Sequence, residues 1–105
     1  MFAFDEWAEW LKSESDKVQG SGPACHYSDN RDLPEAASNP SFGIERETLK
    51  CLGSLRFWKC GTCDYLVFEK ATGNEIANEA GLDANNQTVA ALFARFNSLF
   101  DDGDA

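Results

Sequence analysis

The chain has 105 residues, 43% of them apolar and 12% aromatic, a length that holds one conventional core without a metal or a disulfide and a composition that excludes disorder as the main state. Eighteen Asp and Glu against nine Lys and Arg leave a formal charge of −9, which repels phosphate backbones and anionic lipid and so argues against nucleic-acid and membrane roles. The same field speeds encounter with a basic protein surface, although acidity also serves solubility alone.

The first residues, Met1-Phe2-Ala3-Phe4-Asp5-Glu6, lack the positive flank and apolar stretch of a signal peptide. No segment approaches the roughly 20 apolar residues of a membrane span. A single domain over residues 1–105, located in the cytoplasm, is the expectation. Trp7, Trp10, Leu11 and Val18 recur at helical spacing, with Asp5, Glu6 and Glu9 complementing the positive end of a helix dipole. Gly20-Ser21-Gly22-Pro23 stops that helix. A short strand is expected over 24–27, then loop through Ser28–Glu35 and Ser38–Ser41. A loop of that length in a small domain is a candidate contact surface.

From Phe42 the pattern is that of strands. Phe42–Leu49 alternates in part, Leu52-Gly53-Ser54 reads as a turn, and Leu55-Arg56-Phe57-Trp58 begins a second strand that Gly61 interrupts. Cys63–Glu69 is the clearest strand. Lys70–Asn74 fits a hairpin turn with Gly73 at a positive φ, and Glu75–Asn78 returns as a short last strand. Val89, Leu92, Phe93, Phe96, Leu99 and Phe100 form one apolar stripe of a final helix from about Asn86 to Phe100, followed by a solvated acidic tail. The expected fold is α+β: an N-terminal helix, an antiparallel meander of about four strands and a C-terminal helix.

Alternation sets Leu55 and Phe57 against Arg56 and Trp58, and Leu66 and Phe68 against Tyr65 and Val67. Two helices covering one face of the sheet leave Trp58, Tyr65 and Val67 partly open on the other, and exposed aromatics of this kind anchor protein interfaces. A helix on each face, or the long loop, covers them instead.

Motifs for chemistry are sparse. Cys60-Gly61-Thr62-Cys63 spaces two thiolates as half of a tetrahedral zinc site, which supports a second reading as a small zinc-binding adaptor. The other half lacks a close pair, and Cys25 and His26, adjacent on a strand, point to opposite faces. With four cysteines and no export signal, free thiols are expected ahead of disulfides. Redox-active pairs sit at a helix N-terminus, whereas Cys63 enters a strand. His26 is the single histidine, without a Ser motif or a phosphate loop beside it. No enzyme, no catalytic residue and no cofactor is expected.

The runs Gly53–Gly61 and Asp64–Glu75, in which a strand ends at Trp58 ahead of Gly61 and the next runs into Thr72-Gly73, resemble the core pattern of TriTu-type immunity proteins. Pro40-Ser41, the Trp-bearing first helix and the apolar last helix are similar too. The resemblance implies a bacterial protein encoded beside a secreted toxin, which it binds and silences in the producing cell. It further implies that this toxin is an ADP-ribosyltransferase, carried by a type VI secreted Rhs protein, that uses NAD to modify elongation factor Tu. On that reading the partner is the toxin domain, bound 1:1. Acidic residues would meet the basic pocket that holds the NAD pyrophosphate, or the chain would cover the surface that docks elongation factor Tu. The expected contact residues are Asp29, Asp32 and Glu35 in the loop, with Trp58 and Tyr65 supplying apolar area. The rival readings are the zinc adaptor using Cys60 and Cys63, a housekeeping subunit whose acidity serves solubility and, ranked last, an enzyme acting on ADP-ribose to reverse the damage.

Overall fold

A computed structural model describes residues 3–20, 24–33 and 39–104. Among the described residues the order is α1 (Phe4–Gly20), β1 (Ala24–Asp29), β2 (Ser41–Glu47), β3 (Cys51–Trp58), β4 (Thr62–Glu69), β5 (Glu75–Asp83), a 3-10 turn (Ala84–Asn86) and α2 (Val89–Asp104). The strands form a single antiparallel sheet in the order β1-β2-β3-β4-β5. The α+β meander between two helices is as expected, with five strands where about four were expected.

Both helices lie on one face of this sheet. Helix α1 opens with Asp5 and Glu6 and carries Lys17 in its last turn, each sign matching its end of the dipole. It buries Trp7, Ala8 and Leu11, packing on β1 and β2. Trp7 meets Phe57 edge-on at 5.6 Å, and Phe57 stacks on Phe42 at 5.3 Å. Helix α2 starts at Val89 because the Thr88 hydroxyl accepts the Ala91 N–H at 3.1 Å, an N-cap three residues later than expected. It buries Val89, Leu92, Phe93, Phe96 and Phe100 against β3, β4 and β5. The helices touch through Trp10 and Phe93, edge-on at 5.6 Å.

Several segments differ from expectation: β1 runs on to Asp29, Ser41 opens β2, and α2 continues to Asp104 where a tail was expected after Phe100. Leu52-Gly53-Ser54 is not a turn but part of β3; the turn is Thr48–Lys50, where Thr48 and Cys51 close the hairpin with a 2.9 Å backbone bond. Gly53 is small for packing, since a Cβ there would sit 2.7 Å from the Leu66 carbonyl oxygen and 2.9 Å from Cζ of Phe100. Strand β5 continues past Asn78 to Asp83. Being an outer strand exposed along most of its length, it has little apolar alternation to betray it, and its pairing with β4 is broken by register shifts. Among the described residues no helix is long and apolar enough to cross a membrane.

Candidate functional site

The face of the sheet opposite the helices is the candidate site. Strand β3 alternates buried and half-buried residues along its whole length, and the ladder fixes which neighbours share each side. Leu55 stands opposite Tyr65 and Gly53 opposite Val67, so these belong to the helix-covered face. Leu52 stands opposite Phe68, Ser54 opposite Leu66, and Arg56 opposite Asp64, and these form the other. The expectation that Tyr65 and Val67 lie open beside Trp58 is therefore corrected: they are 6% and 0% exposed. Alternation tells which residues of one strand share a side, but only the register aligns that side with the next strand. Half-buried Leu52, Leu66, Phe68 and Trp58 are what the face displays.

Polar ties order one end of this face. The Trp58 indole N–H donates to Asp64 Oδ2 at 3.2 Å, and Asp64 Oδ1 accepts the Gly81 N–H at 2.7 Å. Arg56 donates through Nη1 to Ser41 Oγ at 2.7 Å and through Nη2 to Ser28 Oγ. At the opposite end, Leu49 on the β2–β3 turn is 91% exposed. Between them a depression of about 190 Å³ is lined by Glu45, Leu52, Gly53, Ser54, Leu66 and Phe68.

The acidic segment expected as loop is partly committed to the fold, Asp29 being the last residue of β1. Asp29 accepts Arg31 N–H and Nε at 2.9 and 2.7 Å and the Tyr27 hydroxyl at 2.8 Å. Arg31 also reaches Asp5 at 2.9 Å and Glu9 at 3.4 Å on α1. Burial pushes the Asp29 carboxyl up, but the hydrogen bonds from Arg31 and Tyr27 outweigh it and hold it below the usual carboxylate range. Of the five expected contact residues, Trp58 is half-buried on the open face and Asp32 is exposed in the turn after β1. Asp29 is engaged by Arg31, Tyr65 lies beneath the helices, and Glu35 lies outside the described residues.

The cysteines separate into two kinds. Cys60 is exposed, with Sγ 3.4 Å from the Thr62 hydroxyl, whose hydrogen bond lowers its thiol pKa. Cys63 is 0% exposed on the helix-covered face, where burial pushes its thiol up to about 12. Among the described residues no group of three or more His, Cys, Asp and Glu side chains is placed to hold a metal ion, so Cys60 and Cys63 are not brought together with further ligands.

The family described as Immunity protein TriTu matches residues 5–99. The chain belongs to this immunity-protein family. The match runs through both helices and all five strands, and membership implies a cognate toxin as binding partner. No curated protein and no solved structure matches the chain.

Set in this TriTu chain, the four positions behind the resemblance have physical roles. Trp58 ends β3 on the open face, and Gly61 takes φ +98° in the β3–β4 turn, where a Cβ would meet Asn85 Nδ2 at 2.7 Å. Thr72 and Gly73 form the β4–β5 turn, the Thr72 hydroxyl donating to Glu69 at 3.0 Å and Gly73 taking φ +75°. Leu52, Ser54, Leu66 and Phe68 are surface residues not expected from the sequence, whereas Arg56 was expected on the side of Trp58 and lies there. Period-two alternation back from Trp58 points to Leu52 and Ser54 once residues 52–54 are read as strand.

Proposed function

We propose that this chain is the immunity partner of an ADP-ribosyltransferase toxin acting on elongation factor Tu, and that it neutralises the toxin by binding it 1:1 and masking its NAD site or its target-docking surface. The observation that carries this reading is the TriTu match over residues 5–99. The open sheet face supports it: an aromatic and aliphatic surface on a chain of charge −9 suits a partner with a basic rim around an apolar patch. Trp58 and Asp32 are the contact residues retained from the expected set. The mechanism makes and breaks no covalent bond, uses no cofactor and operates in the cytoplasm, where a newly made toxin meets its target. A type VI secreted Rhs protein is the toxin's carrier on this reading.

The test is co-expression with the toxin domain encoded beside this chain, co-purification, and transfer of labelled ADP-ribose from NAD to elongation factor Tu. The expected result is a stable complex of one copy of each chain and transfer that reaches zero at one equivalent. Absence of a complex would overturn the reading. So would removal of ADP-ribose from modified elongation factor by catalytic amounts of this chain, which would make it an enzyme.

A further inference from the structure

The depression over Ser54 opens on the face of the sheet away from the helices. We infer that it receives one basic side chain, an arginine or a lysine, from the toxin; this rests on the masking function proposed above. Ser54 lies between Glu45 and Leu66 across β2, β3 and β4, and its short side chain leaves a gap among longer ones. Pockets for small molecules run to about 300–1,000 Å³, whereas this one is about 190 Å³, a volume suited to one long side chain.

The lining selects the occupant. Leu52, Leu66 and Phe68 give apolar walls, and Glu45 is the one ionisable group among the lining residues. Lys and Arg match that arrangement, an apolar stem beneath a charged head. Glu45 is exposed and makes no ion pair among the described residues, although His26 stands opposite it on β1. Its neighbour Glu47, by contrast, is held by Lys70 at 2.6 Å. The Phe68 ring adds a face on which a cation is favourable. An acidic side chain is rejected by Glu45, and a second copy of this chain brings the same charge of −9.

Titration calorimetry of the toxin's catalytic domain against variants of this chain tests the inference. Ser54→Lys and Ser54→Glu add side chains of similar length and opposite sign to the same gap. A basic occupant predicts that Ser54→Lys binds at least tenfold more weakly than Ser54→Glu, and that Glu45→Lys binds at least tenfold more weakly than wild type. Asp16→Lys, exposed on α1 over the opposite face of the sheet, makes the same charge change as Glu45→Lys away from the open face, and is expected within threefold of wild type. Equal affinities of the two Ser54 variants, or the reverse order, overturn the inference while leaving the masking function intact. Wild-type chain that does not bind overturns both. Glu45 is exposed, so its variant keeps the test decisive even where a Ser54 variant folds poorly.

Discussion

Arg56 stands directly opposite Gly43 in the β2–β3 ladder, and the missing side chain of Gly43 leaves the lane along which the guanidinium crosses β2 to Ser41 and Ser28. A Cβ at Gly43 would press on the Leu55 carbonyl oxygen and lie 2.9 Å from Cα of Arg56. Both contacts are backbone and cannot swing aside. Gly43→Ala is expected to cost about 1–3 kcal/mol by overpacking. Arg56→Ala, which gives up hydrogen bonds on a half-open face, is expected to cost about 0.5–1.5 kcal/mol. Urea unfolding of the two variants checks the order, and Arg56→Ala proving the more damaging would show that the lane is not what Gly43 provides.

Gly53 and Phe100 are the corresponding pair beneath the helices, with Cζ of the ring 2.9 Å from where a Cβ would stand. Phe100→Ala is expected to cost about 3–5 kcal/mol, since the ring is fully buried and edge-on to Phe96 at 5.1 Å. Gly53→Ala is expected to cost about 1–3 kcal/mol. Because they share a contact, Gly53→Ala combined with Phe100→Leu should lose less than the two single losses added. Strict additivity in thermal denaturation would mean that the ring does not set the space at Gly53.

The Asp29–Arg31 pair gives stability a defined pH dependence. The Asp29 carboxyl is held below its ordinary value in the folded chain, so its contribution is complete above the unfolded carboxylate range and is lost as pH falls through the folded value. Arg31→Met is expected to cost about 1 kcal/mol at pH 7, discounted for a partly exposed network. The gap to wild type should narrow as pH falls from about 5 to about 3. Urea midpoints at the two ends of that range measure it, and a gap that widens toward acid would reverse the sign of the argument.

Thiol chemistry separates the cysteines by position. Cys60 is exposed and its thiol is lowered by Thr62, whereas burial raises Cys25 and Cys63, and Cys51 is buried too. Native protein treated with a thiol reagent should show one fast equivalent, lost in Cys60→Ser, and three more after denaturation. A fast second equivalent would place one of the buried three at the surface.

Trp58 is the aromatic expected to matter for the toxin. Trp58→Ala should weaken binding at least tenfold, by analogy with buried aromatic anchors of interfaces, while its half-open position keeps the folding loss small. Asp32→Lys should act mainly on the association rate, with a reduced salt dependence. Stopped-flow association at two ionic strengths tells the effects apart; unchanged kinetics for both variants would move the interface away from this end of the sheet.

Periodicity in the chain was enough to establish the two helices, the strand at Cys63–Glu69, the turn at Gly73 and the α+β meander, because each is a local matter of spacing or of a positive φ. The resemblance around Trp58, Gly61, Thr72 and Gly73 likewise pointed to the family that matches residues 5–99. Only the tertiary structure decided that Tyr65 and Val67 are buried and that Leu52, Leu66 and Phe68 share the open face with Trp58. A one-residue change of register exchanges the two sides of a strand, and the β3–β4 register depends on where the Lys59–Gly61 turn falls, closed by the Gly61 N–H donating to the Trp58 carbonyl at 2.9 Å. The same holds for Gly53, whose want of a side chain reads as a turn until the ring of Phe100, distant in sequence, is found over it. Asp29 reads as a free surface acid for the same reason: the folded loop places Arg31 between it and the first helix.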